Sequence, residues 1–227
     1  MCGIVGYLGN QSAKDIIIKG LKRLEYRGYD SAGIATMESN KLAISKTSGK
    51  VSDLISSIND DLHQGGMGIG HTRWATHGEP NIENAHPHSD NNGKFTLVHN
   101  GIIENYATLK QLLADHGIKC HTDTDTEVLV QFIAYLYDRE NLSFADTVRL
   151  ALNEVVGAYG IVVMCEDAPE TIIAARLGSP LLLGIGKDEY FVASDSSPII
   201  EYTRNIIFLD EGELAIIRPG SYEVRNI

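Results

Sequence analysis

Apolar residues recur along this chain in two periods, one helical and one strand-like. Ala13, Ile16, Ile17, Gly20, Leu21 and Leu24 lie three or four apart, which predicts an amphipathic helix that ends near Gly28. Ser12, with Asp15 three residues on, forms a capping box at its start. The same reasoning predicts a weaker helix over 51–62 and one from Tyr106, marked by Leu109, Leu112 and Leu113 and closed by Gly117. Thr124 with Glu127 opens a further helix whose buried face carries Val128, Leu129, Phe132, Ile133 and Leu136, and Ser143 with Asp146 opens another. Short apolar runs at the extreme N-terminus and at 34–36, 42–45 and 95–99 predict strands. From Gly157 onward such runs dominate, at 161–165, 171–175, 181–185, 190–193, 206–209 and 214–217. Strands at both ends with helices grouped between them imply an α+β fold of layered antiparallel sheets covered by helices, not a βαβ succession.

Two stretches break the pattern. Gly65, Gly66, Gly68 and Gly70 are dense enough to mark tight turns or close backbone approach, and their spacing does not make the GxGxxG of a dinucleotide site. Residues 79–94, rich in Asn, Pro, His and Asp, predict a long ordered loop of the kind that carries function. Asn100-Gly101, directly after a strand, has the local signature of a turn.

Composition narrows the function. With 43% hydrophobic and 22% charged residues over 227 positions, the chain has the make-up of a globular protein with a substantial core, and we take it as one domain. No apolar run approaches the ~18 residues of a membrane span. A net charge of -11 argues against nucleic acid or an anionic membrane as partner, so an anionic ligand has to be held locally. Cys2, Cys120 and Cys165 are odd in number, widely spaced and without a CxxC, which fits a reducing, cytoplasmic setting.

The chemistry points to the start of the chain. Once Met1 is removed, Cys2 carries a thiol and a free α-amine on one residue, and an amine of pKa ~7.7–8.0 is matched to take the proton of a thiol of pKa ~8.5. The duller reading is a small buried hydrophobe opening a strand. His86 and His88 are two apart, as zinc-binding histidines can be, but no Cys or acidic partner stands at close spacing, and neither a metal nor an organic cofactor is expected.

Taken together, Met1 to Gly6, Leu24-Glu25-Tyr26-Arg27-Gly28-Tyr29-Asp30-Ser31-Ala32-Gly33, His71 to Gly78, Asn84 to His88, His99-Asn100-Gly101 and Thr124 to Glu127 resemble the class II glutamine amidotransferases, over nearly the whole chain. That resemblance implies an N-terminal nucleophile hydrolase, a four-layer αββα sandwich with Cys2 at the end of a central strand. The Tyr29 and Thr72-to-Gly78 forms are most similar to the amidotransferases that use fructose 6-phosphate as acceptor; the amidophosphoribosyltransferases rank second, and a non-catalytic glutamine-binding module is the reading of a different class. The resemblance implies that residues 1–227 are a glutaminase domain without the C-terminal sugar isomerase domains, in an enzyme that is a homodimer at full length.

Each matched residue then receives a role. Cys2 is the nucleophile, and Asn100 and Gly101 form the oxyanion hole. Arg73 presents a planar fork to the α-carboxylate of glutamine and Asp125 takes its α-ammonium. Thr76 and His77 match a loop that covers the glutamine, Trp74 a residue that gates ammonia, and Arg27 an arginine near the terminal amine, with His86 in support. The rival readings are a surface Arg, a helix-capping Asp and a turn Asn. On the oxyanion reading, loss of the Asn100 side chain lowers kcat and leaves melting unchanged.

Overall fold

The computed structural model describes residues 2–74 and 79–227, with Asp60 described without its side chain. In chain order the regular elements are β1 (Gly3–Leu8), α1 (Ala13–Leu24), β2 (Ser31–Glu38), β3 (Lys41–Ser48), α2 (Val51–Ser57), β4 (Met67–Arg73), β5 (His88–Ser89), β6 (Phe95–Ile103), α3 (Tyr106–Asp115), α4 (Asp125–Glu140) and α5 (Phe144–Asn153). The remaining strands are β7 (Gly157–Cys165), β8 (Ile172–Leu177), β9 (Leu182–Ile185), β10 (Tyr190–Ala193), β11 (Ile206–Phe208), β12 (Glu213–Arg218) and β13 (Ser221–Asn226).

The strands form two antiparallel sheets, in the orders β11-β9-β10-β1-β4-β2-β3 and β13-β12-β8-β7-β6-β5. Alternation along each strand assigns its two faces to different cores. Val5 and Tyr7 of β1 pack with Ile17, Leu21 and Leu24 of α1 and with Val51 and Leu54 of α2. Ile4 and Leu8 point the other way, into a core between the sheets shared with Ile69, Val98, Val162 and Ala215. Phe95 and Leu97 of β6 pack outward on Leu109, Leu113, Val128, Phe132 and Val148 of α3 to α5. The result is the αββα sandwich.

Helix starts follow local chemistry. Ser12, Thr124 and Ser143 are N-caps whose hydroxyls accept from Asp15, Glu127 and Asp146 N–H. Glu127 departs from the capping-box expectation: its buried carboxylate accepts from His121 N–H and Thr122 N–H instead of turning back to the cap. The predicted helix over 51–62 divides into α2 and a 3₁₀ turn at Asp60–Leu62.

The glycines before Arg73 serve close approach. Gly68 and Gly70 lie within β4, and a Cβ on Gly70 would stand 2.4 Å from Ile17 Cγ2, so their bareness lets α1 lie on the sheet. The turn reading of Asn100-Gly101 is overturned. β6 runs through both residues, with Asn100 opposite Gly160 and Gly101 opposite Tyr159 of β7.

Candidate active site

β1, β4 and β6 bring the chemistry together at one edge of the gap between the sheets. Gly3 pairs with Thr72 across β1 and β4, which sets Cys2 beside the C-terminal end of β4. There Trp74 N–H donates to Cys2 Sγ at 3.2 Å, and the thiol lies 3.5 Å from Trp74 O. Burial pushes the Cys2 thiol above its ordinary pKa, and the Trp74 backbone contact partly opposes the shift. A bare cysteine here therefore stays a thiol at neutral pH and needs a base.

From the second sheet, β6 presents Asn100. Its Nδ2 donates to Cys2 O at 3.2 Å and its Oδ1 lies 2.9 Å from His71 Nε2. Asn100 thus also ties the sheets together, so the expectation that its loss would leave melting unchanged is revised. Gly101 follows with φ +139, where a Cβ would come 2.0 Å from Ala158 O; only glycine fits that backbone.

Arg73 is buried at the end of β4. Its Nη1 donates to Glu79 O at 3.3 Å and lies 4.0 Å from Asp30 Oδ1. Asp125, the first residue of α4, accepts from Ile103 N–H at 2.7 Å through Oδ2, while its Oδ1 is 4.0 Å from His99 Nδ1. This aims the helix start at the end of β6. Cys2, Arg73, Trp74, His86, His99, Gly101, Thr124, Asp125 and Thr126 enclose a narrow cavity of about 40 Å³. A wider cavity of about 300 Å³ shares Cys2, Trp74 and Gly101 with it and is bounded also by Arg27, Asn100, Ile102, Ser179 and Pro180. Arg27 Nη1 reaches Ser194 O and Oγ, both at 3.5 Å. Every predicted site residue within the described chain thus lines one cavity or the other. Thr76 and His77, like Met1, lie outside the described residues.

His86 is buried and structural in its contacts. Its Nδ1 accepts from His99 N–H at 3.3 Å, and its ring stacks on His71 at 4.2 Å. His88 Nε2 is engaged 3.1 Å from Thr124 Oγ1. Among the described residues no three His, Cys, Asp or Glu side chains converge as metal ligands. The loop at 79–94 is held from several sides: Lys46 Nζ donates to Ala85 O at 2.9 Å, Asn84 Oδ1 accepts from Asp123 N–H at 3.1 Å, and bare Gly33 admits His86 O. Sequence reasoning missed His99, which lines the narrow cavity, and His71, whose Nε2 lies against Asn100 Oδ1. Their signal was position, since each stands on a strand one or two residues before a candidate site residue.

Relatives share this framework. Curated relatives named glutamine–fructose-6-phosphate aminotransferase (isomerizing) match the chain: the Bacteroides thetaiotaomicron protein is 54% identical over 97% of this chain, and the Pyrococcus horikoshii protein 49% identical over 100% of it. The chain spans 36% and 38% of those two proteins. Among solved structures, the glutamine phosphoribosylpyrophosphate amidotransferase from B. subtilis superposes with a TM-score of 0.86 at 31% identity, over 99% of this chain and 49% of that one. A glutamine aminotransferase class-II domain protein from Silicibacter pomeroyi shares the fold at a TM-score of 0.64. Residues 71–201, more than half of the chain and including Arg73, Asn100, Gly101 and Asp125, match the family model of the glutamine amidotransferase domain, and the chain belongs to that family.

Proposed function

We propose that this chain hydrolyses L-glutamine to glutamate and ammonia through Cys2, and that the ammonia goes to fructose 6-phosphate to make glucosamine 6-phosphate. The observation that carries the hydrolysis is the convergence of a thiol, a buried arginine and a helix-start aspartate on one narrow cavity, with a side-chain amide donor bonded to the backbone of the thiol's own residue. The acceptor rests on the relatives' names, whose identity to this chain exceeds that of the phosphoribosylpyrophosphate enzyme. Residues 1–227 are then a glutaminase domain, and the acceptor site lies in the part of those relatives that this chain does not match. We place the reaction in the cytoplasm, in a homodimer at full length, with neither nucleic acid nor membrane as partner.

The mechanism begins when the α-amine of Cys2, exposed by removal of Met1, takes the thiol proton. The thiolate attacks the side-chain amide carbon of glutamine, and the carbonyl oxygen becomes an oxyanion held by Asn100 Nδ2–H and the Gly101 N–H. Collapse of this intermediate breaks the C–N bond, the amine returns its proton to departing ammonia, and a water hydrolyses the γ-glutamyl thioester to glutamate. Arg73 binds the substrate carboxylate and Asp125 its ammonium. Thr76 and His77 cover the substrate and Trp74 gates the ammonia, with Arg27 near the amine and His86 buttressing the wall.

An electrophilic glutamine analogue with the protein's intact mass tests this directly. One analogue is expected on Cys2 of a chain lacking Met1, together with glutamate release from glutamine. Glutamine binding without labelling or turnover in such a chain would establish the non-catalytic module instead.

A further inference from the structure

His71 stands in β4 between Ile4 of β1 and Gly33 of β2, fully buried, and no step of the mechanism uses it. Its Nε2 lies 3.1 Å from His99 O and 2.9 Å from Asn100 Oδ1. A backbone carbonyl only accepts, so Nε2 must carry the ring proton, and one N–H bridges two acceptors. The opposite end of the Asn100 amide gives an independent check: Nδ2 lies 3.2 Å from Cys2 O, another group that only accepts. A reversed amide would set N–H against N–H on one side and oxygen against oxygen on the other. Such a reversal costs little in itself, because the terminal amide torsion of Asn is broad and roughly two-fold. Something has to select one of the two orientations.

We propose that His71 is a positioning residue for glutamine hydrolysis: as the neutral Nε2–H tautomer it holds the Asn100 amide with its NH₂ toward Cys2, so that the oxyanion donor is aimed before substrate arrives. It touches no reacting atom. Stacking on His86 at 4.2 Å and pairing on both sides of β4 fix the ring, and burial holds its pKa down to about 3, so it stays neutral through the working pH range. The proposal rests on the reading of Asn100 as an oxyanion donor.

The test compares His71→Gln, whose NH₂ falls near the Nε2 position, with His71→Asn, whose shorter amide does not reach it. The chain is processed to begin at Cys2 in every variant. His71→Asn is expected to lower kcat for glutamine about ten- to a hundredfold, below the ~10²–10³ that loss of a donor itself costs, with KM changed less than about threefold. His71→Gln should recover most of that loss at similar melting temperature. On an Asn100→Ala background, His71→Asn should lower kcat no further, because the group it aims is gone. Long-range ¹H–¹⁵N spectra of the parent should show a neutral Nε2–H imidazole for His71. Equal kcat in His71→Gln and His71→Asn, losses that multiply with Asn100→Ala, or an Nδ1–H tautomer would each overturn the positioning role. Unchanged kcat in Asn100→Ala alone would instead remove the oxyanion reading beneath it.

Discussion

Gly101→Ala tests whether the backbone beside Cys2 is as tightly specified as its geometry implies. Gly101 has φ +139, and an added Cβ would lie 2.0 Å from Ala158 O, 2.7 Å from Ala158 C and 2.9 Å from Tyr159 Cα. Those atoms are backbone of β7, so no side chain can swing aside. Relaxing a carbon–oxygen approach to ~3.3 Å moves one strand against the other by over an ångström at the pair Gly101–Tyr159. The unfavourable φ costs ~1–3 kcal/mol and the overpacking another ~1–3, together ~2–6 of a total stability of ~5–15 kcal/mol. For a chain of this size, ~2–4 °C per kcal/mol converts that to a melting temperature lower by about 4–24 °C. Gly93→Ala supplies the control, since Gly93 has φ +70 with nothing within 4 Å of its added Cβ, and it should cost only the left-handed backbone term of ~1–2 kcal/mol. Circular-dichroism melting and glutamate formation are the assays. Gly101→Ala should melt well below Gly93→Ala and lose at least about a hundredfold in kcat, because the same shift displaces the proposed oxyanion donor. Equal melting of the two variants, with kcat of Gly101→Ala within about threefold of the parent, would refute the close-approach argument.

Arg73→Lys should weaken glutamine recognition by about ten- to a hundredfold in kcat/KM, chiefly through KM, since a point charge replaces a fork worth ~1.5–3 kcal/mol; an unchanged KM in steady-state assays would remove Arg73 from substrate binding. Acid should unfold the protein early. Burial holds His71 down to about 3 and lowers His86, His88 and His99, so the unfolded chain binds more protons below pH ~6.5, and stability is lost as pH falls from there toward the folded values. Each imidazole contributes up to ~1.4 kcal/mol per pH unit in that window, and urea midpoints measured at pH 8, 7, 6 and 5 should be level between the first two and drop steeply thereafter. A midpoint unchanged from pH 7 to pH 5 would contradict it.

Much of this architecture is local and therefore readable in one dimension. Ser12, Thr124 and Ser143 cap helices with their own hydroxyls within three residues, and the two-face alternation of β1 and the apolar spacing of α1 follow from periods of 2 and 3.6. That Cys2 can act as a nucleophile is a statement about one residue's functional groups, so the proposal for it needs no tertiary information. What failed was local reading where a distant strand supplied the energy. Asn100-Gly101 has the composition of a turn, yet pairing with Gly160 and Tyr159 carries β6 straight through it, and Glu127 leaves its cap for N–H groups that a loop brings to it. Ser221–Asn226 shows little apolar alternation and becomes a strand because β12 offers it an unpaired edge. The contact that aims Asn100 joins it to His71, which is remote in sequence and arrives on the other sheet. Sequence specifies which groups can donate, accept or attack; their alignment depends on the packing of two sheets, because a hydrogen bond needs both partners within about 3 Å, and only the closed sandwich brings these strands so near.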